Sequence, residues 1–465
     1  MKILKFGGTC LGSEDALQRV VKVIKDEKEQ KIVVVSAASG VTDSLKDFMS
    51  KPRNEKEIDD FLLTTKLRHI DMLPRKDGGI RKEALDMIEG KVTKLERLLY
   101  GITYTEELTP RTNDLILSFG ERLMAIVTAA KLDHVGLDAV PMEADALGLV
   151  TSEQHGNAVA LLDKCEKNMG PTLESAVKKS KVPVVTGFFG ISESGHVTTV
   201  GRSGTDYTAA VIAYATNSKP IEIWKEVDGF MSADPKLVKN SFQIDRLSYE
   251  EAAELAYFGA QVLHAKAVQP AKMKGIDIVI KNLYKPDSPG TVIGGSKLAQ
   301  KEVIKSVSYL SNMATLKVYD SGAGYKSGFL ADISASLSKF GVNVFSAATS
   351  QTCVAILIYE NDIPAAKKAV KSIIGGAGES FEVNPGVALV CTVGEGFGYT
   401  KGVAARVFKA VAAKNVNVDL ISAGASMVAY HFTVDRKDLK NTINAIHDEF
   451  FGHRMAANTS DNPVS

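Results

Sequence analysis

The sequence predicts an α/β layered domain with a largely parallel sheet, followed by two small α+β domains. Three observations predict this. Continuous β-branched runs alternate with helical patterns over roughly the first 295 residues, and such runs belong to parallel strands buried on both faces. Glycine-rich turns separate several of these runs from the helix that follows. Residues 314–355 then align with residues 388–429 at a constant offset of 74, without a gap. A fixed offset marks two copies of one supersecondary unit.

The elements follow in chain order. Ile3–Phe6 is a short apolar strand, and Gly7–Ser13 is a loop. Leu17, Val20, Val21 and Ile24 recur at helical spacing. Ser13 suits the N-cap, and Glu14 and Asp15 suit the positive end of the helix dipole. Lys31–Ala37 is a buried strand, so the first segment reads as a βαβ unit. Residues from about 54 to 110 are polar and helical, and Asn113–Leu132 reads as one apolar helix. Val182–Phe189 is a strand, a turn follows at Ser194-Gly195, and Val197–Gly204 leads to a helix at Thr208–Tyr214. Pro220–Trp224 and Ile276–Asn282 are strands on either side of a helix, Glu250–Lys274, broken near Phe258-Gly259. Lys285–Gly295, with Pro286, Pro289 and Gly290, reads as the exit from this domain.

The repeat pairs Gly322 with Gly396, Gly324 with Gly398, Tyr325 with Tyr399 and Gly328 with Gly402. It runs on through Val342-Asn343-Val344 against Val416-Asn417-Val418. Each copy reads strand, Gly-rich turn, helix, strand, strand, helix. Two copies make no solenoid, so two small domains that pack together are expected. The expected divisions are 1–295, 303–383, 384–455 and a frayed tail at 456–465.

Composition narrows the class. The 465 residues carry 56 Lys+Arg against 55 Asp+Glu, a net charge of +1. Nucleic-acid and polybasic membrane proteins carry a basic excess, so neither partner is expected. No apolar run reaches the roughly 18 residues of a membrane helix, and the N-terminal residues lack the apolar core of a signal peptide. Cys10, Cys165, Cys353 and Cys391 are scattered, and no close His pair occurs, so neither a disulfide scaffold nor a resident metal site is expected. A cytoplasmic setting follows as an expectation.

Lys5-Phe6-Gly7-Gly8-Thr9 is the sharpest chemical signal. Two glycines let backbone approach a ligand closely, and the helix after them offers free N–H groups to an anion. A lysine at the strand end adds the positive charge that a transferring phosphoryl group needs. Taken alone the motif is equally a plain turn with a solvated lysine. Neither a P-loop nor the protein-kinase signatures occur. Gly201-Arg202-Ser203-Gly204-Thr205-Asp206 is a second anion cradle, in which Arg202 can grip a carboxylate bidentately. Read blandly, it is a turn with an aspartate in the first turn of a helix. Glu121, in an apolar helix, suits an ammonium group or an ion pair with Arg122. Trp224–Asp234 is a loop at the C-terminal end of a strand, where open α/β sheets bind ligands. His264 reads as structural and Cys10 as a small loop residue.

These clusters resemble the aspartate kinases of the amino-acid kinase superfamily. The resemblance rests on KFGGT, VVVSAASGVTD, LSFGERL, VTGFFG, TTVGRSGTDYTAA, IEIW with VDGFMSADP, ELAYFGAQVLH and the repeat, which resembles a tandem pair of ACT domains. It covers nearly the whole chain. It implies a three-layer αβα amino-acid kinase domain with a mainly parallel sheet, then two ACT-like domains, interleaved so that Val303–Leu310 completes the sheet of the other copy. It implies phosphoryl transfer from MgATP to the β-carboxylate of L-aspartate, with ATP and its Mg²⁺ as the bound nucleotide and no resident metal. By position, Lys5 faces the transferring phosphoryl group and Asp206 organises the cations, while Gly7, Gly8 and Thr9 cradle phosphate. Ser36, Thr42, Glu121, Phe188, Arg202 and Thr205 fall in the aspartate pocket. Lys225, Glu226, Met231, Asp234, Lys236 and Gln261 fall where the family binds nucleotide.

The chain departs from the pattern at several of these positions. Cys10 stands for a serine, Ser203 and Thr205 for smaller residues, and Lys225-Glu226 for Thr-Asp. Met231 stands for a tyrosine and Gln261 for a lysine present in many members. In the regulatory half, Ser327, Gly328, Phe329 and Leu330, with Asn343 and Val344, resemble the effector site of lysine-sensitive members. Phe345 stands where those members keep an acidic residue, and Ser350-Gln351 where they keep Ser-Glu. The expectation is weak lysine inhibition or another effector such as threonine, in a homodimer or homotetramer. Two alternatives remain at this point. One is another amino-acid or carbamate kinase of the same fold; the other is a non-catalytic amino-acid sensor.

Overall fold

The computed structural model describes residues 1–75, 78–201, 203–260, 262–295, 303–325, 327–374 and 380–460, the side chains of 453–460 excepted. They form two compact units. The first comprises the described residues of Met1–Phe230, Asp245–Ala253 and Val262–Ser296; the second, those of Met231–Ile244, Glu254–Gln261 and Lys297–Ser465. Two short segments of the range expected for the kinase domain therefore group with the C-terminal half.

The first unit is built on an eight-stranded sheet. Its order is Ala139–Met142, Val182–Thr186, Lys31–Val35, Lys2–Phe6, Ile221–Lys225, Ile278–Asn282, Thr291–Ile293 and Arg246–Leu247. Every neighbouring pair is parallel except Ile278–Asn282 with Thr291–Ile293. Side chains of a strand alternate between faces. Leu4, Phe6, Val33 and Val35 therefore share one face, packed with Leu17, Val20 and Ile24 of helix Glu14–Asp26 and with Leu123 and Val127 of helix Phe119–His134. Lys5 points the other way, to the face covered by helix Gly204–Thr216, with Leu162–Lys178 and Ala265–Lys274 beside that helix. The result is three layers.

Local chemistry sets the boundaries. Ser13 caps its helix as expected, its Oγ accepting from the Ala16 N–H at 3.3 Å. The expected single helix at 113–132 is two, Pro110–Leu117 and Phe119–His134, which meet at Ser118. Asn54 closes a capping box with Glu57 at the start of Glu55–Ile70. The expected strand Val182–Phe189 stops at Thr186, because Phe188 takes a left-handed φ of 73°. Phe189–Ser192 then joins a separate three-stranded sheet with Val150–Thr151 and Val197–Thr199.

The second unit carries a six-stranded antiparallel sheet, ordered Ser346–Thr349, Cys353–Tyr359, Ser306–Tyr319, Ser380–Val393, Ala429–Asp435 and Ile421–Ser422. The two central strands serve both repeats. Residues 313–319 pair with 353–359 on one side, and on the other 315–319 pair with 380–384. Residues 387–393 pair with 429–435, and on their other edge 389–393 meet 306–310. Each repeat has its own apolar core, one around Leu316, Ile333 and Ile356, the other around Val390, Val407 and Ile443. The repeat shows in the backbone: Gly328 and Gly402, 74 residues apart, each begin a helix from a left-handed conformation, φ 89° and 81°. Among the described residues no helix is long and apolar enough to cross a membrane.

Candidate active site

The C-terminal ends of the central strands gather charge. Lys5, next to last in Lys2–Phe6, lies level with Ile223 of Ile221–Lys225. Lys225, two residues beyond Ile223, shares its face and so the face of Lys5. Both lysines meet Asp206, which lies in the first turn of Gly204–Thr216. The Lys5 Nζ is 2.6 Å from Asp206 Oδ1, and the Lys225 Nζ donates to Oδ2 at 3.2 Å. The His264 N–H also donates to Oδ2, at 3.2 Å. Asp206 is fully buried. Burial alone would raise its pKa, but the ammonium charges of Lys5 and then Lys225 outweigh that and hold it at about 2. Burial lowers that of Lys5, with the Asp206 charge opposing and the Lys225 charge adding.

The glycine turn wraps this cluster. The Gly7 N–H donates to the Trp224 carbonyl at 3.1 Å. A Cβ on Gly7 would sit 3.7 Å from the Lys5 Nζ, and one on Gly8 would come within 2.9 Å of the Ala37 carbonyl oxygen. Close backbone approach thus requires glycine at residue 8. Thr9 donates its hydroxyl to Glu226 at 2.5 Å. Cys10 is buried, its Sγ 3.5 Å from the Trp224 carbonyl, and burial pushes its thiol up to about 11. It is a small packed residue, as the sequence suggested, but it lies in a one-turn 3-10 helix, Gly8–Leu11, rather than in a loop.

Glu121 lies behind the turn, 3% exposed. One oxygen accepts the Ala37 N–H at 3.0 Å; the other has no partner among the described residues. Burial raises this carboxyl to about 8, against the pull of the Ala37 N–H and of the more distant Arg122 and Lys5 charges. The ion pair with Arg122 does not form. Arg122 binds Glu143, Asp145 at 2.5 Å and the Ser118 hydroxyl at 3.0 Å instead. Gly120 lets the helix come this close, since a Cβ there would lie 2.6 Å from that of Ala37.

The other expected pocket residues are partly gathered. The Ser36 N–H donates to the Phe6 carbonyl at 3.3 Å, and Thr42 is half-buried in the first turn of Val41–Met49. The Phe188 N–H is held by Thr208 Oγ1 at 3.1 Å. Thr205 is buried against Gly187, where a Cβ would fall 2.2 Å from its methyl. Its extra bulk therefore goes to Gly187. Ser203 holds a left-handed φ of 55°. Arg202 and Gln261 lie outside the described residues.

Met231, Asp234 and Lys236 belong to the second unit. There the Met231 carbonyl accepts from Ser306 Oγ at 2.7 Å, and Asp234 accepts from Tyr309 Oη at 2.8 Å and from the Lys236 N–H at 2.9 Å. Of the effector residues, Ser327, Gly328, Leu330 and Asn343 are exposed, whereas Phe329 and Val344 pack into the first repeat's core. Phe345 packs between Tyr257, tilted at 5.6 Å, and Tyr359, edge-on at 4.6 Å between ring centroids.

The sequence reading missed two contributors. One is the His264 N–H on Asp206, a backbone group with no side-chain signature. The other is Asp114, fully buried, which accepts from Thr199 Oγ1 at 2.7 Å, His155 Nδ1 at 2.9 Å, the Gly156 N–H at 3.0 Å and the Thr199 N–H at 3.1 Å. It fixes the strand that leads to residues 201–206.

Known proteins share this sequence pattern and this fold. Residues 1–282 match the model of the amino acid kinase family, and residues 390–450 match that of the ACT domain. Aspartokinase 1, chloroplastic, of Arabidopsis thaliana is 31% identical over 462 residues, covering 97% of this chain and 80% of that protein. The bifunctional aspartokinase/homoserine dehydrogenase 1, chloroplastic, of the same plant is 29% identical, and the chain spans 50% of its length. The crystal structure of E. coli aspartokinase III in complex with aspartate and ADP superposes with a TM-score of 0.83 at 24% identity, over 97% of this chain and 100% of that one. The chain belongs to the amino acid kinase family and, within it, to the aspartokinases with C-terminal ACT domains.

Proposed function

We propose that the chain is an aspartate kinase that transfers a phosphoryl group from MgATP to the β-carboxylate of L-aspartate, giving 4-phospho-L-aspartate. This is the first step toward the amino acids derived from aspartate. The observation that carries the reading is the Asp206 carboxylate held between the Lys5 and Lys225 ammonium groups beside the Gly7-Gly8 turn. A carboxylate acceptor is already a nucleophile, so no general base is needed. The work is alignment and charge neutralisation. Lys5 meets the charge that develops on the phosphoryl group, Asp206 holds Lys5 in place, and the turn leaves room for phosphate oxygens. The free oxygen of Glu121 awaits the α-ammonium of aspartate, and Arg202 its α-carboxylate. Mg²⁺ arrives with ATP.

Residues 1–295, less the segments 231–244 and 254–261 that group with the C-terminal unit, form the catalytic part, and 303–383 and 384–455 the two interleaved ACT repeats. These repeats feed an amino-acid signal back on the kinase. Ser327–Leu330 with Asn343 and Val344 is the proposed effector site. Lysine binding there is weakened because Phe345 supplies no negative charge, and threonine is the other candidate. A homodimer or homotetramer in the cytoplasm completes the reading.

The test is ADP release from MgATP with L-aspartate, then with L-glutamate, N-acetylglutamate or carbamate in its place, trapping acyl phosphate with hydroxylamine. Hydroxamate from aspartate alone supports the assignment. Turnover only with another acceptor, or silence with all from protein that still binds an amino acid, overturns it.

A further inference from the structure

Two lysines share one buried carboxylate at this site, and the charges do not cancel. Asp206 is fully buried and carries one negative charge; Lys5 and Lys225 bring two positive ones within 2.6 and 3.2 Å. Two further carboxylates stand nearby among the described residues. Glu226 is engaged by the Thr9 hydroxyl. Glu121 accepts the Ala37 N–H, its carboxyl raised to about 8 by burial, so that it supplies little negative charge at neutral pH. A surplus charge in a desolvated place is costly unless an opposite charge meets it. The Lys225 side chain is 14% exposed and that of Lys5 4%, so the surplus opens to solvent on the Lys225 side. It opens beside the glycine turn: a Cβ on Gly7 would lie 3.7 Å from the Lys5 Nζ and 3.9 Å from the Lys225 Cγ. The Lys5 ammonium group and the stem of Lys225 thus flank the glycine turn, and both ammonium groups converge on Asp206 beside it.

We propose that Lys225 is a second catalytic cation, one that binds the same polyphosphate oxygens as Lys5 and shares the charge of the phosphoryl group in flight. It rests on the kinase reading above, but its core claim, that Lys225 binds a polyphosphate, holds apart from the identity of the acceptor. In the resting enzyme Asp206 parks both ammonium groups. When nucleotide enters, Asp206 keeps Lys5 and Lys225 turns to the phosphates. No bond beyond the established transfer is made or broken. The charge must be positive, so arginine serves in part and a neutral side chain of like length does not.

The experiment uses the full chain and inorganic tripolyphosphate as probe, bound in competition with ATP and measured by calorimetry. Lys225→Met is expected to bind tripolyphosphate roughly tenfold more weakly and to lower kcat about 10²-fold, the scale of losing one charged stabiliser. The aspartate KM stays within about twofold, because only transition-state and nucleotide contacts are lost. Lys225→Arg is expected to restore most of the tripolyphosphate affinity, which a merely space-filling role would not need. Lys225→Gln replaces Lys225→Met if the latter does not fold. Tripolyphosphate binding as tight to the neutral variant as to the native chain overturns the proposal, whatever the acceptor proves to be. Absence of aspartate turnover in the native chain, with the difference in tripolyphosphate affinity intact, overturns the kinase reading instead.

Discussion

The Glu121 carboxyl accepts the Ala37 N–H at 3.0 Å through one oxygen, and its other oxygen, buried, has no partner among the described residues. This carboxyl, raised by burial to about 8, is mostly protonated at neutral pH in the free enzyme. An ammonium ligand needs the ionised form. Aspartate binding should therefore release a proton, and the aspartate KM should fall as pH rises toward 8 and level off above it. The expected slope is about tenfold per pH unit below that value. Initial rates at several pH values, with proton release followed in two buffers, check this. A flat KM profile in Glu121→Gln and in the native chain alike would sink it.

The same group has a stability consequence. Between its ordinary 4.5 and its folded value of about 8, the native state holds a proton that the unfolded chain gives up. Stability must then fall as pH rises through that window. Asp206 behaves in the opposite sense. Its folded value of about 2 lies below the ordinary 3.8, so its contribution is present above 3.8 and is lost as pH falls toward 2. Thermal melts of the native chain and of Glu121→Gln should converge at low pH and separate as pH rises, with the variant the more stable. Parallel curves would contradict the assignment.

Lys5→Ala should lower kcat by roughly 10²–10³-fold with a small change in aspartate affinity, since the lysine meets charge that develops only in transfer. Asp206→Asn should also cost stability, about 3 kcal/mol, because the buried Lys5 and the half-buried Lys225 lose their shared carboxylate. Denaturant melts and steady-state kinetics separate the two effects. Full turnover by Lys5→Ala would remove it from the mechanism.

Ser203 holds a left-handed φ of 55° at the start of helix Gly204–Thr216, where glycine bears no Cβ penalty. Ser203→Gly should raise stability by about 0.5–1 kcal/mol, the steric relief exceeding the entropy of the freer unfolded chain. A lower melting temperature for this variant would show that the serine side chain makes a compensating contact.

Lysine at low-millimolar concentration should inhibit weakly. Phe345 is packed among Tyr257 and Tyr359 and offers no charge to a second ammonium group. Titrating lysine and threonine against the aspartate-dependent rate decides between them. Strong inhibition by lysine would show that another group supplies the missing charge.

Much of this architecture can be read in the chain itself, because its signals are local. KIVVV spells a doubly buried strand, Ser13 a cap, and the 74-residue offset a duplication. Where the reading stopped short, a tertiary cause is visible. The break at Ser118 falls inside an unbroken apolar pattern, and its neighbour Asp114 is turned to serve Thr199, His155 and Gly156, partners 41 to 85 residues away. Lys225 looked like a nucleotide contact by position. Its place on Asp206 follows only from strand register, which sets it on the face of Lys5. Glu121 was recognisable as a buried carboxylate, yet its solitude depends on Arg122 turning to Glu143 and Asp145.

The grouping of Met231–Ile244 with the C-terminal unit bears on how this gene could be cut. The backbone of Ser232 accepts from Val307, the hydroxyl of Ser232 meets His447 Nε2 at 3.0 Å, and Asp234 is tied to Tyr309. Every one of those partners lies beyond residue 303. Nor can the two repeats be parted, since the paired strands Ser306–Tyr319 and Ser380–Val393 each run through the sheet region of both. The chain is therefore not modular in the sense its internal duplication suggests. A fragment ending at the apparent linker would carry a loop stripped of its scaffold, and a chimera would have to exchange 231–244 together with everything from 303 onward.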